Sequence, residues 1–172
     1  MGGKTAVDTP LATNLIGLFN QPQKVYLDIA TWKTLPQRQL SSGLAETIKH
    51  ACLADREFFD YLSEHIKDVL AVKDAVCRHI AEKNCEIKYQ VVMKDERESG
   101  LREVLNLGHT VGRAIETVSD YKLLHGEAVA IGLVAEVKMA EHFGYCTAED
   151  EAAMVAMLKQ AAVSYTHLTL PT

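Results

Sequence analysis

The sequence has no excess of basic charge. Its 18 Lys and Arg stand against 23 Asp and Glu, for a net charge of −5, which excludes the general basic footprint of a nucleic-acid binder. No apolar run approaches the ~20 residues of a membrane span. The opening residues, MGGKTAVDTP, lack the charged and apolar regions of a secretory signal. The four cysteines, Cys52, Cys77, Cys85 and Cys146, show no CxxC spacing. Cys77 and Cys85, eight apart in one helical pattern, read as buried thiols, and a reducing, cytoplasmic compartment is the simplest account. No internal repeat, low-complexity segment, GxGxxG stretch or GxxxxGK[ST] loop occurs. At 172 residues the chain is long enough for one domain with a sizeable core.

What the chain does contain is concentrated in residues 105–129, LNLGHTVGRAIETVSDYKLLHGEAV. His109 and His125 each stand beside a glycine and each open a helical pattern. The first runs through Val111, Ala114, Ile115 and Val118, the second through Ala128, Val129, Ile131 and Val134. Neutral imidazole is a standard ligand for zinc and similar ions, and two helix starts can meet in space. The best third ligand lies upstream in SGLAETIKH, where Glu46 and Lys49 share one helical face. Glu, His, His plus an open position is the ligand set of a catalytic zinc site. By spacing alone, an ordinary i,i+3 surface salt bridge is the better account of Glu46 and Lys49.

Along the chain, residues 2–17 are rich in Gly, Thr, Asn and Pro and predict loop. GGK there is compatible with a phosphate or carboxylate cradle, or with a turn and a solvated lysine. VYLDI at 25–29 is the one clear strand candidate. Pro36 predicts the first turn of a helix with Leu40, Leu44, Ala45 and Ile48 on its apolar face. A short helix is expected over 55–65 with Asp55 as N-cap, and a long one over 66–93. DERESG at 95–100 predicts a charged turn. Gly144 predicts a helix stop, and Thr147 with Asp150 a cap for a last helix whose Ala152, Val155 and Leu158 face one side. The last residues, VSYTHLTLPT at 163–172, match one reading frame of a common transposon sequencing adapter and read as a non-native tail, so His167 is not counted as a ligand.

Four ordered segments carry a resemblance: GGKT at 2–5, TLPQRQLSSGLAETIKH at 34–50, DERESGLREVLNLGHT at 95–110 and LLHGEAVAIGLV at 123–134. Together, and over roughly residues 2–162, they resemble the 3-dehydroquinate synthases, members of the sugar phosphate cyclases. The resemblance implies a mainly α chain: the helical C-terminal metal- and substrate-binding domain of a two-domain enzyme, with one short strand near the start. In the family a whole nucleotide-binding domain precedes the GGKT segment and a helical segment follows the last helix, so residues 1–162 read as a domain incomplete at both ends.

Site residues carry over by position. Glu46, His109 and His125 become the metal ligands, for zinc or cobalt. Lys49, Lys88 and Arg113 fall on catalytic positions, and Lys4, Asn14, Lys88, Arg102 and Asn106 on substrate-binding ones. Two departures stand out. Ala12-Thr13 replaces a Gly-Lys pair, removing one expected cation. Arg113 replaces a histidine in GHTxGH; it still faces the site four residues after His109 and can fork a phosphate oxygen, but it cannot act as a neutral base. Elimination in which the substrate phosphate takes the proton is compatible with that change, as is a slightly different substrate.

The implied reaction converts 3-deoxy-D-arabino-heptulosonate 7-phosphate to 3-dehydroquinate and phosphate, a lyase step of the shikimate pathway to aromatic amino acids. NAD held by the other domain oxidises a ring hydroxyl, phosphate leaves by elimination, NADH returns the hydride to restore the hydroxyl, and ring opening with aldol closure follows. The expected partner is a small anionic sugar phosphate, with no nucleic acid or membrane, and a possible homodimer of the full-length enzyme. The isolated chain is expected to be inactive. The alternatives are another cyclase, of the 2-deoxy-scyllo-inosose or valiolone type, and a non-catalytic helical metal-binding module.

Overall fold

A computed structural model describes residues 2–11 and 14–163. The chain opens on a β-hairpin, β1 (Lys4–Val7) and β2 (Ile16–Phe19), paired antiparallel with Lys4 opposite Phe19 and Val7 opposite Ile16. A 3-10 helix (Ile29–Thr34) leads into α1 (Gln37–Ala54), α2 (Arg56–Leu70) and α3 (Asp74–Lys94). A second 3-10 helix (Leu101–Asn106) precedes α4 (His109–Val118), α5 (His125–His142) and α6 (Ala148–Gln160). Among the described residues no helix is long and apolar enough to cross a membrane.

The core forms around α1, whose Ala45 and Ile48 are wholly buried. On α2, Phe58, Leu62, Ile66 and Val69 recur at three- and four-residue steps and make one buried stripe. Fully burying a side chain of this size contributes roughly 1.5–3 kcal/mol. Leu133 of α5 and Met157 and Leu158 of α6 complete the cluster, which Val163 also joins. From Gly126 to Leu133 α5 is buried on every side, as a central helix must be.

Helix ends obey local chemistry. The Asp55 side chain accepts from Phe58 N at 2.9 Å. Thr147 and Asp150 form a reciprocal capping box. Gly144, at φ +75°, ends α5 with Tyr145 N donating to Ala140 O and Gly144 N to Glu141 O, the Schellman pattern. Pro36 falls one residue outside the helix it was expected to begin.

Five expectations fail. Residues 2–17 contain the hairpin, whereas 25–29 form no strand; a strand requires a partner for its backbone groups, and among the described residues the hairpin is the only sheet. Asp28 instead caps the first 3-10 helix through Ala30 N. The boundary expected at 65/66 lies at residues 71–73, where Val72 adopts φ +52° and Lys73 N returns to Asp68 O. Cys77 is buried but Cys85 is exposed, because eight residues at 100° per residue leave them roughly 80° apart around α3. On α6 the inward face is Met154, Met157 and Leu158, with Ala152 outside. Residues 164–172, which include His167, lie outside the described residues, as do Ala12 and Thr13.

The charged turn after α3 has one organiser. Both oxygens of Asp95 accept hydrogen bonds, from Arg102 N, Gly100 N, Ser99 N and Ser99 Oγ, at 2.8–3.1 Å. The bond from Arg102 N and then the others hold the carboxyl down at about 2. This stabilisation is fully present above the unfolded carboxyl value near ~3.9 and is lost as pH falls through about 2. Asp95→Asn is therefore expected to lower the melting temperature at pH 7, with a difference from the parent that shrinks in melts recorded from pH 4 down to pH 2.

Candidate metal centre and anion pocket

Glu46 projects from the third turn of α1, while His109 and His125 are the first residues of α4 and α5. Close backbone approach brings the three together. Gly126 lies so near α1 that an added Cβ would stand 1.8 Å from Ser42 O, and its N–H donates to Ser42 Oγ at 3.1 Å. Gly132 seats the start of α4 the same way, with a Cβ 1.9 Å from Gly108 O. Gly108 takes the left-handed φ of +78° and donates its N–H to Glu136 Oε2 at 2.7 Å, which sets the direction in which His109 leaves the chain.

Glu46 Oε1 is 3.2 Å from His109 Nε2 and 3.3 Å from His125 Nε2. Donor atoms of the three residues lie within 4.8 Å of one another. Each imidazole turns its other nitrogen outward to an oxygen: His109 Nδ1 is 3.2 Å from Leu107 O, and His125 Nδ1 is 2.9 Å from Glu116 Oε1. Two nitrogen donors and one oxygen donor converging on a single side fit zinc or cobalt. Burial works against ionised Glu46, but hydrogen bonds from His109, His125 and Lys49 outweigh it and hold the carboxyl far below the usual range. The Glu46 contact is the main cause of a raised His125 pKa.

Lys49, buried, reaches Glu46 Oε2 and Leu105 O, both at 2.6 Å. Burial pulls its ammonium below the ordinary lysine value although Glu46 holds it, and Lys88 and Arg113 pull the same way as burial. The three candidate ligands and Lys49 line a cavity of about 430 Å³ together with Lys4, Lys88, Arg102, Asn106 and Arg113. Nine of the ten residues singled out from the sequence thus share one cavity. The exception is Asn14, which sits in the hairpin loop at φ +54° with its backbone N–H on Asp8 Oδ1, and does not line it. Arg102 is buried, and two of its N–H groups are used structurally, on Gly2 O and Glu96 O at 2.6 Å each, tying the hairpin base to the turn after α3.

Two cavity residues were missed. Glu98 pairs with Lys4 and accepts from Asn106 Nδ2 at 2.9 Å; burial raises its pKa, but Lys4 and Asn106 more than offset that and keep it ionised. Nothing in DERESG marks this residue, since its placement depends on a turn with φ +60°. His50 has Nδ1 2.8 Å from Asn84 Oδ1 and is pushed toward the neutral form, chiefly by burial. It lies four residues after Glu46, so helical spacing was a usable signal.

A helical domain in which two histidines and one carboxylate converge beside a cation-rich cavity belongs to the class that can hold a divalent ion next to an anion. Comparison with known proteins narrows this. The family model described as 3-dehydroquinate synthase C-terminal matches residues 43–171, and the one described as 3-dehydroquinate synthase N-terminal matches residues 1–42. The chain belongs to the 3-dehydroquinate synthase family. It is 49% identical to the 3-dehydroquinate synthase of Acetivibrio thermocellus over 140 residues, 81% of this chain and 39% of that protein. It is 45% identical to that of Pseudomonas aeruginosa over 164 residues, 95% of this chain and 45% of that protein. Among solved structures, a 2-epi-5-epi-valiolone synthase from Streptomyces hygroscopicus with NAD+ and Zn2+ bound superposes with a TM-score of 0.90 at 25% identity, covering 98% of this chain and 47% of that one. A 2-deoxy-scyllo-inosose synthase shares the fold at TM-score 0.84 and 23% identity, over 92% of this chain and 44% of that one. The chain spans less than half the length of each of these relatives.

Proposed function

We propose that this chain serves a 3-dehydroquinate synthase, which converts 3-deoxy-D-arabino-heptulosonate 7-phosphate to 3-dehydroquinate and phosphate, and that its share is to hold the metal and the anionic ends of the substrate. The observation carrying this reading is the single cavity in which Lys4, Lys49, Lys88, Arg102 and Arg113 surround the Glu46–His109–His125 cluster. A substrate bearing both a phosphate and a carboxylate needs such a surplus of cations. The net-acidic chain concentrates them there.

A divalent ion held by Glu46, His109 and His125 supplies, when bound, Lewis acidity toward hydroxyl oxygens. Redox chemistry belongs to NAD, which accompanies the valiolone synthase structure and to which no residue of this chain is assigned. Arg113 grips a phosphate oxygen and leaves proton removal to another group. Ionised Glu98 accepts from Lys4 and Asn106 and orients both toward the substrate. Lys49, pinned between Glu46 and Leu105 O, places a positive charge beside the ligand set. A cytoplasmic location and a homodimer belong to the same reading.

The test is the full-length protein with NAD+, zinc and the heptulosonate phosphate, following phosphate release and 3-dehydroquinate by NMR. No phosphate release sinks the reading. Turnover only of a sugar phosphate lacking the carboxylate moves the chain to the valiolone or inosose type, which the 44–49% identity to 3-dehydroquinate synthases disfavours. In that assay Lys88→Ala and Arg113→Ala are each expected to lower kcat/KM ~10- to 100-fold, the range of one lost hydrogen bond to a charged group.

A further inference from the structure

We infer that Glu116 is a positioning residue for His125, fixing the face and tautomer with which that imidazole meets a metal ion; the inference rests on the assignment of Glu46, His109 and His125 as ligands. The ring of His125 is strung between two carboxylates. Nδ1 lies 2.9 Å from Glu116 Oε1, and Nε2 on the other side lies 3.3 Å from Glu46 Oε1. An ionised carboxylate oxygen can only accept. Glu116 therefore keeps a proton on Nδ1, so that Nε2, which faces Glu46, is the nitrogen that gives up its proton when a metal ion binds. A carboxylate behind a ligating imidazole also raises its basicity.

The two histidines are not equivalent in how they are held. His109 has a side chain only 12% exposed, so packing and the Leu107 carbonyl restrain it. His125 is 52% exposed and leans on Glu116 instead, whose own side chain is only 17% exposed. Glu116 stands seven residues after His109, two helical turns along the same face of α4. α4 thus supplies one ligand directly and steadies the other across the α4–α5 contact.

The experiment measures zinc affinity of the 172-residue chain by competition with a chromophoric chelator, and records the visible spectrum of the cobalt-loaded protein. Glu116→Ala is expected to weaken zinc binding ~10- to 100-fold and to shift the cobalt bands. Glu116→Gln, whose amide oxygen still accepts from Nδ1–H, is expected to recover most of the loss. Thr117→Ala, exposed on the same helix, is expected to match the parent. Parental affinity and spectrum in Glu116→Ala overturn the inference, and so does a loss in Glu116→Gln as deep as in Glu116→Ala. Glu46→Ala, measured alongside, separates the two levels. If it loses zinc while Glu116→Ala keeps it, only the positioning role falls. If the parent itself binds no zinc, the ligand assignment falls and this inference with it.

Discussion

Glu46→Ala is expected to abolish stoichiometric zinc binding, weakening it more than ~100-fold, because one oxygen of this residue is the point on which both imidazoles converge. Two histidines without the carboxylate leave a two-donor set. The same substitution strands the buried Lys49 ammonium, which keeps only the Leu105 carbonyl. Breaking a fully buried ion pair costs about 3–5 kcal/mol; with Glu46 one-third exposed, roughly 1–3 kcal/mol is the expected loss. Glu46→Gln separates the two effects, since it keeps the shape and an acceptor for Lys49 while giving up the charge. Metal content after dialysis and thermal melts read them independently. One zinc per chain in both variants would remove Glu46 from the ligand set.

Gly132→Ala and Gly126→Ala are expected to be as damaging without touching a ligand. A Cβ at 132 stands 1.9 Å from Gly108 O, and one at 126 stands 1.8 Å from Ser42 O. Both obstacles are backbone, so no side chain can swing aside and the helices must part. Overpacking of this kind costs about 3 kcal/mol or more, a fall of roughly 10 °C in melting temperature for a chain of this size. Because α4 carries His109 and α5 carries His125, zinc should be lost with the packing although every ligand is intact. Gly43→Ala is the contrast: nothing stands within 4 Å of its Cβ, inside α1, so a gain of up to ~1 kcal/mol is expected. Parental melting temperatures in the 126 and 132 variants would mean that the helices are not in this close contact.

Legibility from the sequence followed the range of the forces involved. Caps at Asp55 and Thr147 and the stop at Gly144 depend on bonds within a few residues, and all three could be read directly. So could the starts of α4 and α5 at the two histidines. The hairpin could not, because its strands are defined by each other across residues 8–15 and by Arg102, one hundred positions beyond Gly2. Helical spacing placed Cys77 and Cys85 on one pattern, but which face is covered depends on what packs there, and Cys85 was left outside.

The site divides in the same way. Motif order alone supplied the candidate ligands and the surrounding cations, since residue chemistry is a property of the chain. Whether Glu46 meets His125 across seventy-nine residues at 3.3 Å was decided by the glycine contacts of α5 with α1 and α4. Asn14, expected in the site by resemblance, sits in the hairpin loop instead. Glu98, unmarked in sequence, entered the cavity because the Asp95-centred turn aims it there. Local hydrogen bonding and side-chain chemistry are short-ranged and therefore written in the sequence. Convergence of distant groups to within hydrogen-bond distance is set by helix packing, which only the tertiary structure supplies.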